Sequence, residues 1–154
     1  MFTSAVLAHS LLRWVVLAMG VVAVCRAVRG LLRREPWTSA DTAFSFGFVA
    51  ALDGQLLIGV VLFAFSPITN LGIHELDLAL ESRVLRFFTF EHPMLMAVSI
   101  VLAHIAGVRI WRHTEPTARH RTATVFFGLA LLVLLAGIPW SFGPYERALL
   151  SLFQ

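Results

Sequence analysis

Long apolar stretches alternate along this chain with short polar stretches that are rich in arginine. These stretches predict four membrane-spanning helices, over residues 5–26, 43–65, 92–112 and 122–141. Each has close to the ~20 residues that a helix needs to cross ~30 Å of hydrocarbon. Helices are expected because a lone strand would leave its backbone polar groups unbonded in lipid. The predicted fold is all-α, an up-down bundle of four transmembrane helices in one domain, residues 1–154.

The composition supports a membrane protein. Charged residues make up 14% of the chain and hydrophobic residues 58%, whereas a soluble domain carries roughly 25% charged residues. The net charge of +3 comes from arginines, most of which lie in the connectors, so we expect contact with the lipid bilayer and none with nucleic acid. The single cysteine, Cys25, excludes an internal disulfide. The chain has no nucleophile elbow, phosphate-binding loop or HExxH motif, so no enzymatic reaction is predicted.

The distribution of arginine predicts the orientation. The first and third connectors together hold eight arginines and the second holds two. They are Arg26, Arg29, Arg33, Arg34, Arg109, Arg112, Arg119 and Arg121, against Arg83 and Arg86. Connectors rich in arginine stay in the cytoplasm. We therefore predict a multi-pass protein of the bacterial inner membrane with both termini in the periplasm.

The second connector is the longest and runs from Pro67 to His92. Its last part, residues 82–90 (SRVLRFFTF), combines two arginines with apolar and aromatic residues. This pattern favours a short helix lying in the membrane interface between spans two and three. The alternative is an ordered loop that caps the bundle.

Ionisable residues within the spans are costly and usually mark a function or a specific contact. Counting their depth from the ends of each span predicts two polar layers, to within about one helical turn, roughly 5 Å. The outer layer holds His9, His92 and Arg13, and the deeper layer holds Asp53, Gln55 and His104.

The outer layer suggests a haem site. Two imidazoles at one level on two helices of a bundle suit axial ligation of haem iron by His9 and His92. Arg13, or Arg83 and Arg86 in the second connector, would then neutralise the haem propionates.

Simpler interpretations exist for each of these side chains. His9 would be an imidazole with its polar tip among the lipid headgroups, and Arg13 would extend its charge to the outer surface. His92 would belong only to a helix start, since Glu91 favours the positive end of a helix and Pro93 suits its first position.

The deeper layer has two interpretations as well. Asp53 and His104 form either a buried, hydrogen-bonded pair that fixes helix packing or a relay for protons. Outside the spans, His113 and His120 lie among arginines of the third connector, so both are expected to be solvated.

Four motifs occur in a familiar order. They are HSLLRW at residues 9–14, QLLIG at 55–59, RFFTFEHP at 86–93 and IPW at 138–140. In this order the chain resembles a family of small four-span bacterial membrane proteins labelled "cytochrome B", over most of its length. The resemblance implies haem b as cofactor, with His9 and His92 at the positions that match the family's motifs. The family tends to carry histidine where this chain has Asp53, which is a poor haem ligand, so the outer pair would be the only bis-histidine site.

Three functions follow. The first is a haem b-like electron-transfer protein of a respiratory or photosynthetic chain, with quinone as a possible partner. The second is a non-catalytic accessory subunit that has no cofactor and packs against other membrane subunits. The third is a small proton-conducting or transport protein that uses Asp53 and His104. A visible spectrum, co-purification and proton-flux measurements, respectively, discriminate among them.

Overall fold

The computed structural model describes residues 2–140, and every regular element among them is helical. In chain order the elements are α1 (Phe2–Arg33), α2 (Ser39–Phe65), α3 (Pro67–His74), α4 (Leu76–Glu81), α5 (Arg83–Arg86), a π-helical turn (Phe87–Glu91), α6 (His92–Arg112) and α7 (Pro116–Gly137). Four stretches are long and apolar enough to cross a membrane: α1, α2, α7, and α5 to α6 as one unit. The all-α four-helix prediction is confirmed. The predicted end of the fourth span at residue 141 lies outside the described residues.

The four long helices pack as antiparallel neighbours. At one end of the bundle, Arg26 near the end of α1 pairs with Asp41 in the first turn of α2. At the other end, His92 at the start of α6 bonds to Gly137 at the end of α7. Helix α1 packs closely along α2 and α7, and α6 packs closely along α7, whereas α2 and α6 meet less closely. The bundle is therefore packed least tightly between α2 and α6.

The core of the bundle is apolar and contains a pair of aromatic rings. Phe48 of α2 and Phe127 of α7 meet edge to face, with ring centres 5.5 Å apart, and both are fully buried. A Cβ atom on Gly20 of α1 would lie 2.8 Å from the Phe48 ring. Glycine at this position is what lets α1 approach the aromatic pair.

The start of α2 is fixed by a capping box. The Thr38 hydroxyl accepts a hydrogen bond from the Asp41 amide at 3.3 Å, and the Asp41 carboxylate accepts one from the Thr38 amide at 2.8 Å. Two amides that the helix itself leaves unbonded are satisfied in this way. The same carboxylate accepts a bond from Arg26 Nε at 2.9 Å, which ties the cap to α1.

Short helices lie between the second and third spans, and one of them, α5, falls within the predicted range 82–90. Helices α3 and α4 precede residue 82, and the segment 82–90 is not a separate helix: it continues through α5 and the π-helical turn into α6. Pro93 explains the turn, since it has no amide to donate to the carbonyl four residues back. The helix widens at this point into a π-helical turn. In this turn the His92 amide donates its hydrogen bond to the Phe87 carbonyl, five residues back. Helix α6 begins at His92 with Pro93 in its first turn, as the pattern predicted, but the chain enters it from another helical segment and not from a loop.

Candidate functional site

His9 and His92 lie together at one end of the bundle. Their ring centres are 6.4 Å apart and the rings are inclined at 69°. They extend from α1 and α6, which occupy diagonal positions, so the imidazoles meet between all four long helices. The predicted shared level of these two residues is what the structure shows, while their role as ligands stays a prediction.

The imidazole of His92 has a fixed orientation. Its Nδ1 donates a hydrogen bond to the carbonyl oxygen of Gly137 at 2.7 Å. Gly137 is the last residue of α7, and carbonyls in the last turn of a helix have no partner within it. Because Nδ1 carries the hydrogen in this bond, Nε2 of a neutral ring keeps a lone pair. Phe87 and Phe88 line the ring, with centres 5.8 and 6.3 Å away.

His9 is held from α2. The Gln55 side-chain amide donates a hydrogen bond to the backbone carbonyl of His9 at 2.9 Å. A Cβ atom on Gly59, one turn further along α2, would lie 3.3 Å from Cε1 of the His9 ring. Within the described part of the chain, His9 Nδ1 and Gln55 Oε1 are buried and have no hydrogen-bond partner. Each of these two atoms can therefore still take part in a hydrogen bond.

The placement of Gln55 corrects the predicted layers. Gln55 was expected in the deeper layer beside Asp53 and His104, but it belongs to the outer cluster with His9. Two residues along an α-helix correspond to a rotation of about 200°, so Gln55 and Asp53 face opposite directions. The depth calculation located Gln55 to within a turn but could not determine which side of α2 it occupies.

The arginines proposed as charge partners occupy different surroundings. Arg13 lies one turn after His9 on α1, and its guanidinium is 5.7 Å from the ring centre of Trp14. Arg86 donates to the Glu91 carboxylate at 2.8 Å and to the Leu80 carbonyl at 3.1 Å. Glu91 therefore forms an ion pair within its own helical segment, and Arg13 is the arginine closest in sequence to His9.

The deeper pair is present but is not buried. His104 Nε2 and Asp53 Oδ1 are 2.9 Å apart, which agrees with the predicted hydrogen bond. Their side chains are 51% and 45% exposed, so the predicted burial is wrong. The pair bridges α2 and α6 at the surface of the bundle. A polar pair is thus displayed on the membrane-facing surface of the bundle.

His120 was expected to be solvated and is instead 1% exposed. Helix α7 begins at Pro116, which places His120 one turn inside the helix and facing α1. Its ring stacks at 4.9 Å on Trp37 and occupies the space that a side chain on Gly30 would need. Neither ring nitrogen of His120 has a hydrogen-bond partner within residues 2–140. The sequence feature that pointed to this contact is Gly30, a small residue among the arginines of the first connector.

Comparison with known proteins finds no relative of this chain. No family model, curated protein or solved structure matches the chain. Among the described residues, no group of three or more histidine, cysteine, aspartate or glutamate side chains is placed to hold a metal ion. Two histidines from different helices do meet, at His9 and His92, and this pair is the candidate site.

Proposed function

We propose that this chain binds haem b through His9 and His92 and passes electrons within a bacterial membrane. The observation that carries this proposal is the 6.4 Å separation of the two imidazole centres. With metal–nitrogen distances of about 2.0–2.1 Å, two imidazoles on opposite sides of one ion have ring centres roughly 6 Å apart. At this separation both imidazoles would be able to reach one iron ion.

The hydrogen bonding of the two imidazoles also fits ligation. Histidines that bind metals usually donate their other ring hydrogen to a carbonyl or carboxylate, which fixes the ring and its tautomer. His92 donates from Nδ1 to Gly137 in this way and keeps Nε2 for an iron. The absence of a side chain on Gly59 lets the ring of His9 pack against α2.

Arg13 provides a charge at the same end of the bundle. A guanidinium binds carboxylates through paired, charge-assisted hydrogen bonds, and haem carries two propionates. Arg13 is half-buried and lies one turn from His9. We therefore assign it to the propionates.

The chemistry supplied by a bound haem is reversible one-electron oxidation and reduction of its iron. This chain would hold the ligands in place through Gly137 and Gln55, keep the surroundings apolar with Phe87 and Phe88, and balance charge with Arg13. Its electron donor or acceptor would be another membrane subunit or a quinone. We place the protein in the bacterial inner membrane, with the haem near the periplasmic side.

The test is a reduced-minus-oxidised visible spectrum of the purified protein, expressed in cells that make haem. We expect the α-band of a b-type cytochrome in the parent chain and its loss in His9→Gly and His92→Gly. His74→Gly is the matched control, since His74 is an exposed histidine in the second connector that bonds only to Asn70 of its own helix. This variant should keep the full band.

Added imidazole separates loss of a ligand from loss of the fold. A glycine variant that is folded but lacks a ligand should regain the band when millimolar imidazole enters the space left by the side chain. A colourless parent protein would contradict the proposal, and so would a band that survives in both glycine variants. Equal loss in the His74→Gly control would show that the effect is not specific to the pair.

A further inference from the structure

Within residues 2–140, only the nitrogen of the Gln55 side-chain amide is hydrogen-bonded. Nε2 donates to the backbone carbonyl of His9 at 2.9 Å. Oε1 is buried without a partner in the same part of the chain, and this atom can only accept a hydrogen bond. Because the nitrogen and oxygen of one amide are about 2 Å apart, Oε1 lies within roughly 5 Å of the His9 carbonyl oxygen. A buried acceptor is thus placed beside His9.

The ring of His9 turns one edge toward the helix that carries Gln55. A Cβ atom on Gly59 would lie 3.3 Å from Cε1 and 3.9 Å from Nδ1 of this ring, and more than 4 Å from Nε2. Gly59 is four residues after Gln55, so the two share one face of α2. Nδ1 is buried, and among the described residues it has no hydrogen-bond partner. The Nδ1 edge of the imidazole therefore faces the side of α2 that holds the Gln55 amide.

These two buried atoms favour one position for the ring hydrogen. A neutral imidazole has one N–H and one bare nitrogen. If Nε2 carried the hydrogen, Nδ1 and Gln55 Oε1 would be two neighbouring acceptors without a donor, which is costly in an apolar surrounding. If Nδ1 carries it, a donor faces an acceptor, and the same tautomer results whether the hydrogen reaches Oε1 directly or through a water molecule.

We propose that Gln55 is a positioning residue that holds His9 in the Nδ1–H tautomer, which leaves the lone pair of Nε2 to bind iron. His92 has the same tautomer, because its Nδ1 donates to the Gly137 carbonyl. Histidines that bind metals are oriented by an acceptor for their other ring hydrogen, and Gln55 gives His9 what Gly137 gives His92. The tautomer does not depend on haem, whereas its use in ligation rests on the proposed function.

Nitrogen NMR of the purified, haem-free protein tests the tautomer, since a bare ring nitrogen and an N–H have well-separated chemical shifts. Histidine is labelled with nitrogen-15, spectra are recorded at about pH 8.5, where an ordinary imidazole is neutral, and His9 is assigned from its absence in His9→Gln. We expect Nδ1–H in the parent chain and in Gln55→Glu, which keeps an acceptor oxygen. Gln55→Met, of similar size but without that oxygen, should shift His9 toward Nε2–H.

His92 is the internal control, because its bond to Gly137 is untouched and it should stay Nδ1–H in every variant. An Nε2–H ring at His9 in the parent chain would overturn the proposal, as would an unchanged Nδ1–H ring in Gln55→Met. Should Gln55→Met fail to fold, Gln55→Ala takes its place with the same expected result.

The effect on a bound haem is measured as the haem affinity and midpoint potential of the same proteins. An acceptor at Nδ1 makes the imidazole a stronger electron donor and so favours oxidised iron. Gln55→Met should therefore weaken haem binding about 10–100-fold and raise the midpoint potential, whereas Gln55→Glu should not raise it. A colourless parent chain whose His9 is Nδ1–H would contradict the proposed function and support the tautomer. A coloured parent chain with the same potential and affinity as Gln55→Met would instead overturn the role of Gln55.

Discussion

The Nδ1 atom of His92 donates a hydrogen bond to the carbonyl oxygen of Gly137, 2.7 Å away and 45 positions later in the chain. This bond joins the first turn of α6 to the last turn of α7. At the same end, Gln55 of α2 donates to the backbone of His9 on α1. At this end of the bundle a polar contact thus ties each histidine-bearing helix to a neighbour, and the two imidazoles meet between these contacts.

Replacing His92 by Phe should destabilise the bundle by about 1 kcal/mol, because the Gly137 carbonyl loses its donor while the volume of the side chain is largely kept. The measurement is unfolding of the purified, cofactor-free protein by SDS in mixed micelles. His74→Phe is the control, since that exposed imidazole bonds only to Asn70 in its own helix and should change stability by less than about 0.5 kcal/mol. Equal stabilities of the two variants would show that the interhelical bond contributes nothing.

Replacing Gly30 by Ala should destabilise the protein by about 1–3 kcal/mol. The added methyl group would overlap the ring of His120, which is held between α1 and Trp37. Gly128→Ala is the matched control, because a Cβ atom there has no neighbour within 4 Å and alanine favours the helix by up to about 1 kcal/mol.

A double variant tests the cause of the loss at Gly30. Combined with His120→Ala, the Gly30→Ala change should cost much less than it does alone, since the overlapping ring is gone. Thermal unfolding followed by helical circular dichroism in detergent compares all four proteins. Additive costs would mean that Gly30 and His120 do not interact.

The pattern of apolar residues was sufficient to predict the four long helices. Lipid requires each span to be long, helical and apolar, and the predicted ranges overlap α1, α2, α6 and α7. Counting residues from the ends of each span also predicted that His9 and His92 share a level in the membrane. Both lie only a few residues from the end of a span, so the error in their depth is small.

Rotation about each helix axis could not be predicted in the same way. Gln55 and Asp53 differ by only about 3 Å in depth, yet one contacts His9 and the other contacts His104. The burial of His120 depends on Gly30, 90 positions earlier, so no local pattern could show it. The π-helical turn before His92 follows from Pro93, but a proline after a polar residue is equally typical of a helix start.

Replacing Asp41 by Ala should lower the free energy of unfolding by about 1–2 kcal/mol. Its carboxylate is 6% exposed and serves both the capping box with Thr38 and the ion pair with Arg26. Glu35→Ala is the comparison, since the Glu35–Arg29 pair lies at the surface and such pairs contribute less than about 1 kcal/mol. The measurement is thermal unfolding at two salt concentrations. At both, Asp41→Ala should lower the stability more than Glu35→Ala does. A Glu35→Ala loss as large as that of Asp41→Ala would contradict this assignment.

Labelling from one side of the membrane tests the predicted orientation. With Cys25→Ser as background, Asp77→Cys lies in the second connector and Glu115→Cys in the third, and both positions are exposed. The second connector has two arginines, against eight in the first and third together, so it should be the translocated one. A membrane-impermeant maleimide should therefore label Asp77→Cys in intact cells and Glu115→Cys only after lysis. The opposite result would place the His9–His92 end of the bundle at the cytoplasmic surface, and any electron partner of that site would then have to be sought there.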